Sequence, residues 1–161
     1  MSGSGFHHSV EQRYFEDYVA GSVHAFGTIR VTQSEIVAFA RQFDPQSFHV
    51  DPQTAGGGPF GGLIASGWHT AAVMMRLFAD NYLSRVASLG SPGVDELRWI
   101  KPVRPGDALR IRITVLEAHR SRSRPDRGIV RSLIEVMNQS DEVVMSVKAV
   151  NFFLCRHAAP A

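Results

Sequence analysis

Asp44 and His49 stand five positions apart in the stretch FARQFDPQSFHVDPQTA, residues 39–55. A carboxylate and an imidazole that share one water form an acid/base pair, and imidazole is the side chain whose charge changes most readily near neutral pH. The same spacing also suits a turn capped by Asp44 with His49 packed or solvated, so spacing alone leaves both readings open. A second short motif, IASGWH, sets Ser66 and Gly67 at or near the start of an apolar helix. The first N–H groups of a helix have no intrahelical partner, and the helix dipole favours negative charge beside them. Glycine there admits a ligand to the backbone, and an N–H aimed at a carbonyl oxygen is an oxyanion hole. Close helix–strand packing would explain Gly67 equally well.

The elements that must position these groups can be read from periodicity. SVHAFGTIRV reads as a first strand. Thr32 with Glu35 three positions on has the capping-box pattern, and Ile36, Phe39, Ala40 and Phe43 repeat at helical spacing. Pro45 disfavours the helical conformation at Asp44, so that helix should end there. DPQSFHVDPQTAGGGPFGG is rich in Gly and Pro and predicts a long irregular loop. LIASGWHTAAVMMRLFADNYL is apolar on almost every face, which predicts a helix buried all round, inside a wrapped sheet. VDELRWIKPV is a strand ended by the turn RPGD. In ALRIRITVLEA, Leu109, Ile111, Ile113 and Val115 share one face. RGIVRSLIEVM and EVVMSVKAVNFFL, joined by NQSD, complete an antiparallel meander. The class is α+β, an antiparallel sheet around a long central helix, in one domain over residues 1–161 with residues 1–13 a flexible segment.

Composition narrows the function classes. The formal net charge is only +2, and the arginines of AHRSRSRPDRG have no aromatic residues between them, which disfavours nucleic acid. One cysteine, Cys155, ends an apolar run and reads as a buried core thiol. No His/Cys spacing suits zinc, and His7-His8 reads as part of a frayed terminus, so no metal is expected. There is no membrane-length apolar run and no signal-peptide core in MSGSGFHHSV, so the expectation is a soluble cytoplasmic protein without a membrane partner. Ser66 lacks the flanking pattern of a nucleophile elbow. His69 reads as a structural or interface histidine. Arg120, Arg122, Arg124 and Arg127 fit either a solvated basic turn or a phosphate contact.

Taken together, these motifs resemble the MaoC-like dehydratases, a family that includes the (R)-specific enoyl-CoA hydratases and has the hot-dog fold. The family pattern runs Asp-x-Asn-Pro-x-His-x-Asp and then a small-residue-Gly step. Here Asp44 and His49 fall on it, in a stretch that also carries Pro45, with Gln46-Ser47 in place of Asn-Pro. The resemblance spans roughly residues 14–154. It implies that Asp44 and His49 activate water and that the Gly67 N–H polarises a thioester carbonyl. It also implies an acyl-CoA thioester substrate, no cofactor, and a homodimer or larger self-assembly. Ser66, Trp68, Arg122 and Arg124 are the expected substrate-binding residues, Trp68 shaping the acyl pocket and the arginines meeting coenzyme A phosphates. The alternatives are a hot-dog thioesterase, disfavoured because the central helix carries no acid before Asp80, and a non-catalytic acyl-CoA binding protein.

Overall fold

The computed structural model describes residues 5–157. Its strands are β1 (Val23–Arg30), β2 (Gly93–Trp99), β3 (Ala108–Arg120), β4 (Arg127–Met137) and β5 (Val143–Leu154). Its helices are α1 (Gln33–Phe43), α2 (Ser47–Val50), α3 (Pro52–Gly56) and α4 (Gly67–Asn81), with one 3-10 turn at Phe15–Asp17. All five strands lie in one sheet in the order β1-β3-β4-β5-β2, every pair antiparallel. Register shifts occur in β1 between Gly27 and Ile29, in β2 between Asp95 and Arg98, and in β3 between Val115 and Glu117. Extra residues of this kind bend a strand and increase its twist, and the bent sheet packs on α4. This is the hot-dog architecture expected from the sequence.

The strict alternation of β3 has its expected consequence. Leu109, Ile111, Ile113 and Val115 are all 0% exposed and share one core with Val73, Met74, Leu77 and Phe78 of α4. Burying each such side chain contributes about 1.5–3 kcal/mol. Thr32 and Glu35 form the expected capping box at the start of α1.

Four features differ from the sequence expectations. α4 is buried on one side only: Trp68, Ala72, Met75, Arg76 and Asp80 form an exposed stripe, because the sheet covers a single face. Of LIASGWHTAAVMMRLFADNYL only Gly67–Asn81 is helical, starting where Ser66 and Gly67 were expected to open it, and residues 63–66 carry no regular structure. The loop after Asp44 contains α2 and α3, the latter capped by Asp51, whose carboxylate accepts from the N–H groups of Gln53 and Thr54. Within the expected flexible segment Phe6 and Arg13 pack on the domain while Gly5, His7, Ser9, Glu11 and Gln12 are exposed, and residues 1–4 lie outside the described residues. Arg13 is 5% exposed and donates to the carbonyls of Asn81 and Tyr82, both at 2.9 Å, with its guanidinium 3.5 Å from the centre of the Phe6 ring. Among the described residues, no helix is long and apolar enough to cross a membrane.

Candidate active site

Asp44 is the C-cap of α1, where its N–H still reaches the Ala40 carbonyl at 2.8 Å and Pro45 ends the helix. His49 follows on α2 and is 5% exposed. Two backbone bonds pin the strand-like lead into α4: Ile64 N–H to the Phe48 carbonyl at 3.1 Å and Ala65 N–H to the Val103 carbonyl at 2.9 Å. The α2 turn, the β2–β3 connection and the start of α4 are thereby fixed to one another.

Within that frame Asp44 and His49 meet. His49 Nε2 lies 3.3 Å from Asp44 Oδ2, and His49 Nδ1 lies 2.7 Å from the Ile64 carbonyl oxygen. A carbonyl only accepts, so Nδ1 carries a hydrogen, and Nε2 is the ring nitrogen on the Asp44 side. Asp44 Oδ2 also accepts from Ser66 Oγ at 2.7 Å, and Oδ1 accepts from Gln46 Nε2 at 2.8 Å. Gln46, which replaces the family's Asn, thus donates directly to the carboxylate. The Ser66 hydrogen bond, followed by that of Gln46 and the nearby His49, holds the Asp44 carboxyl below its usual range against the opposing effect of burial. Asp44 is therefore ionised at neutral pH.

That shift has a testable sign. Ser66→Ala removes the largest stabiliser of the charged carboxylate, so the folded-state value of Asp44 rises towards the ordinary one. Any rate step that needs ionised Asp44 then begins to fail at higher pH. The expected result is an upward displacement of the Asp44-dependent acidic limb of kcat/KM against pH, measurable with any turned-over substrate. An unmoved limb would show that Ser66 does not tune Asp44. The linked stability has the same direction: it is present above the unfolded-state value of Asp44 and is lost as pH falls through the folded-state value.

A cavity of about 340 Å³ opens beside this pair, lined by His49, Ile64, Gly67, Thr70, Trp99 and Lys101 among others. Its walls are mainly apolar. Gly67 is the first residue of α4, so its N–H has no carbonyl one turn back to bond to. The cavity thus meets an imidazole, a free helix-start N–H and an apolar surface. Asp44 does not line it and touches the lining through His49.

The other expected site residues are placed differently. Ser66 is fully buried, caps α4 by accepting from the Trp68 N–H at 3.3 Å, and spends its hydroxyl hydrogen on Asp44; it supports the carboxylate and does not line the cavity. Trp68 is 59% exposed and outside the cavity lining, because its place on α4 turns it away from the sheet. Arg122 and Arg124 lie exposed on the β3–β4 connection and do not line the cavity either. His69 stacks on Phe39 with ring centres 4.8 Å apart, and burial lowers its tendency to take up a proton. Cys155 is half-buried just beyond β5, and burial pushes its thiol upward, which disfavours the nucleophilic thiolate. Among the described residues, no group of three or more His, Cys, Asp or Glu could hold a metal ion.

Sequence reasoning missed Trp99, Thr70 and Lys101 as cavity residues. The only available signal was that RWIKP sits at a strand end, where side chains often face a site.

Comparison with known proteins gives a consistent pattern. A family model described as MaoC like domain matches residues 16–137. An uncharacterized protein of Bacillus subtilis (strain 168) is 31% identical over 126 residues, 78% of this chain and 88% of that protein. The 3-hydroxyacyl-thioester dehydratase Z of Mycobacterium tuberculosis is 37% identical over 84 residues, 51% of this chain and 56% of that enzyme. A crystal structure of the MaoC-like dehydratase from Rhodospirillum rubrum matches with a TM-score of 0.82 at 41% identity, covering 92% of this chain and 99% of that one. An R-hydratase from Pseudomonas aeruginosa matches with a TM-score of 0.70 at 22% identity over 92% of this chain and 94% of that one, a likeness of fold.

Proposed function

The chain belongs to the MaoC-like dehydratase family, and from that premise we propose that it adds water to a 2-enoyl-CoA, or removes it from a 3-hydroxyacyl-CoA, without a cofactor. The observation that carries the reading is the Asp44–His49 contact at 3.3 Å beside a cavity that also receives the start of α4.

In the proposed reaction a water is held between the two side chains. His49 Nε2 and the ionised Asp44 carboxylate both face the water, and Asp44 accepts one of its hydrogens. As the water oxygen bonds to the β-carbon, Asp44 takes its proton and the alkene electron pair moves towards the thioester oxygen. The Gly67 N–H binds that oxygen more strongly as its charge grows, so it lowers the barrier more than it lowers the ground state. The α-carbon then takes the proton from Asp44, and the carbonyl re-forms. Dehydration is the same path reversed. Each atom lost by the water appears in the product, so no redox partner is needed.

The reading includes a homodimer. It is supported by the free edge of β2 and the exposed apolar side chains of Val94, Trp99 and Ile100, next to Trp68. A coenzyme A carrier brings phosphates, and Lys101, which lines the cavity and is paired with Glu142, is a basic side chain beside it.

The direct test follows the enoyl-thioester absorbance of crotonyl-CoA. Wild-type protein is expected to consume it, and His49→Ala to be at least ~10²-fold slower, in line with what a positioned acid/base group contributes. Failure to hydrate crotonyl-CoA or any longer 2-enoyl-CoA would defeat the proposal.

A further inference from the structure

Trp99 ends β2, and its indole is seated against Gly67. A Cβ built on Gly67 would lie 2.3 Å from Trp99 Cε2 and 2.5 Å from Trp99 Nε1. The indole therefore forms the wall of the cavity where the helix begins, and it is braced edge-on by Trp68 at 5.1 Å between ring centres. One turn further along α4, Thr70 also lines the cavity. It is 4% exposed, and none of the side-chain hydrogen bonds among the described residues uses its hydroxyl.

Resting on the hydratase reading above, the geometry points to Trp99 and Thr70 as the residues that hold this site to short acyl chains. The cavity volume of about 340 Å³ lies at the small end of ligand sites. The thioester group, the reacting water and the acyl chain must share that space. A longer chain has two ways to be accommodated, and each is opposed. Growth towards the start of α4 requires the indole to leave Gly67. Growth along α4 lays methylene groups over the Thr70 hydroxyl and removes it from water without giving it a partner, which is unfavourable. A short chain leaves space for a water to satisfy that hydroxyl.

Chain-length selectivity can be read by binding as well as by turnover. Saturated butyryl-CoA and octanoyl-CoA cannot be hydrated, so calorimetric titration measures the pocket alone. Wild-type protein is expected to bind butyryl-CoA at least tenfold more tightly than octanoyl-CoA, although the longer chain has more apolar surface to bury. Trp99→Ala is expected to bring the two within about threefold or to reverse them. Trp99→Leu should give an intermediate ratio, and Thr70→Val should shift it about threefold towards octanoyl-CoA. Thermal melts establish that each variant is folded, and kcat/KM for crotonyl-CoA against 2-octenoyl-CoA should move in parallel. Equal wild-type binding of both thioesters, or an unchanged ratio in folded Trp99 and Thr70 variants, overturns the assignment and leaves the hydratase reading intact. Absence of both binding and crotonyl-CoA turnover defeats the hydratase reading, and the assignment falls with it.

Discussion

Asp44→Asn is expected to lower kcat for enoyl-CoA hydration by about 10³-fold while KM stays within a few-fold of wild type. The asparagine keeps the size of the carboxylate, and the one atom that meets both Ser66 Oγ and His49 Nε2 becomes either its oxygen, accepting from Ser66, or its amide nitrogen, donating to His49. What it loses is the ability to take a proton from water. In the proposed path Asp44 meets the substrate only as the proton moves, so substrate binding should be little changed. The measurement is steady-state kinetics with crotonyl-CoA, beside a thermal melt showing that the variant is folded. Retention of more than about a tenth of wild-type kcat would remove Asp44 from the role of base. His49, whose Nε2 lies 3.3 Å from Asp44 Oδ2, would then be the group to test in its place.

Much of this site was legible because its signals are local. Pro45 ends a helix wherever the chain goes next, so Asp44 had to leave α1 at its C-cap. The Thr32–Glu35 capping box and the alternation of β3 are likewise decided within a few residues. What was not legible depends on contacts distant in sequence. β2 follows α4 and precedes β3, yet it crosses to the far edge and pairs with β5, so Trp99 faces Met145 in register and Gly67 through its side chain. No periodicity within RWIKP carries that information. The Gly- and Pro-rich stretch also hid α2 and α3, each too short to show a helical repeat. The all-apolar look of α4 misled for a related reason: apolar character shows what a face tolerates, whereas the extent of the sheet decides which face is covered. The exposed Trp68 and Met75 are the result. Ser66 shows the same limit at the scale of one hydroxyl. The resemblance placed it among the substrate-binding residues, and only the fold brings Asp44, 22 residues earlier, within 2.7 Å of it.

Gly67→Ala is the second substitution with a large expected effect, a fall in kcat of about 10²–10³-fold, comparable to removal of one oxyanion donor. The added methyl would stand 2.3 Å from Trp99 Cε2, a separation that cannot persist, so one of the two elements must yield. The start of α4 is held by the Ala65–Val103 backbone bond and by the buried Ser66 cap, whereas the indole is 47% exposed and is the group displaced, at the cost of its contacts with Gly67 and Trp68. The fold should therefore survive, with the melting temperature shifted by only a few degrees, and alanine is no worse than glycine in a helix. The N–H is still present in this variant, so the loss has two possible sources. Either the methyl blocks the approach of the thioester oxygen, or the displaced indole spoils the cavity wall. Adding Trp99→Ala separates them, since it removes the indole and relieves the clash. If Gly67→Ala/Trp99→Ala remains as inactive as Gly67→Ala, while Trp99→Ala alone stays active on crotonyl-CoA, the approach to the Gly67 N–H is the catalytic requirement. Recovery of activity in the double variant would mean that Gly67 is there to seat Trp99, and the stabilising contact for the thioester oxygen would have to be sought elsewhere along the cavity.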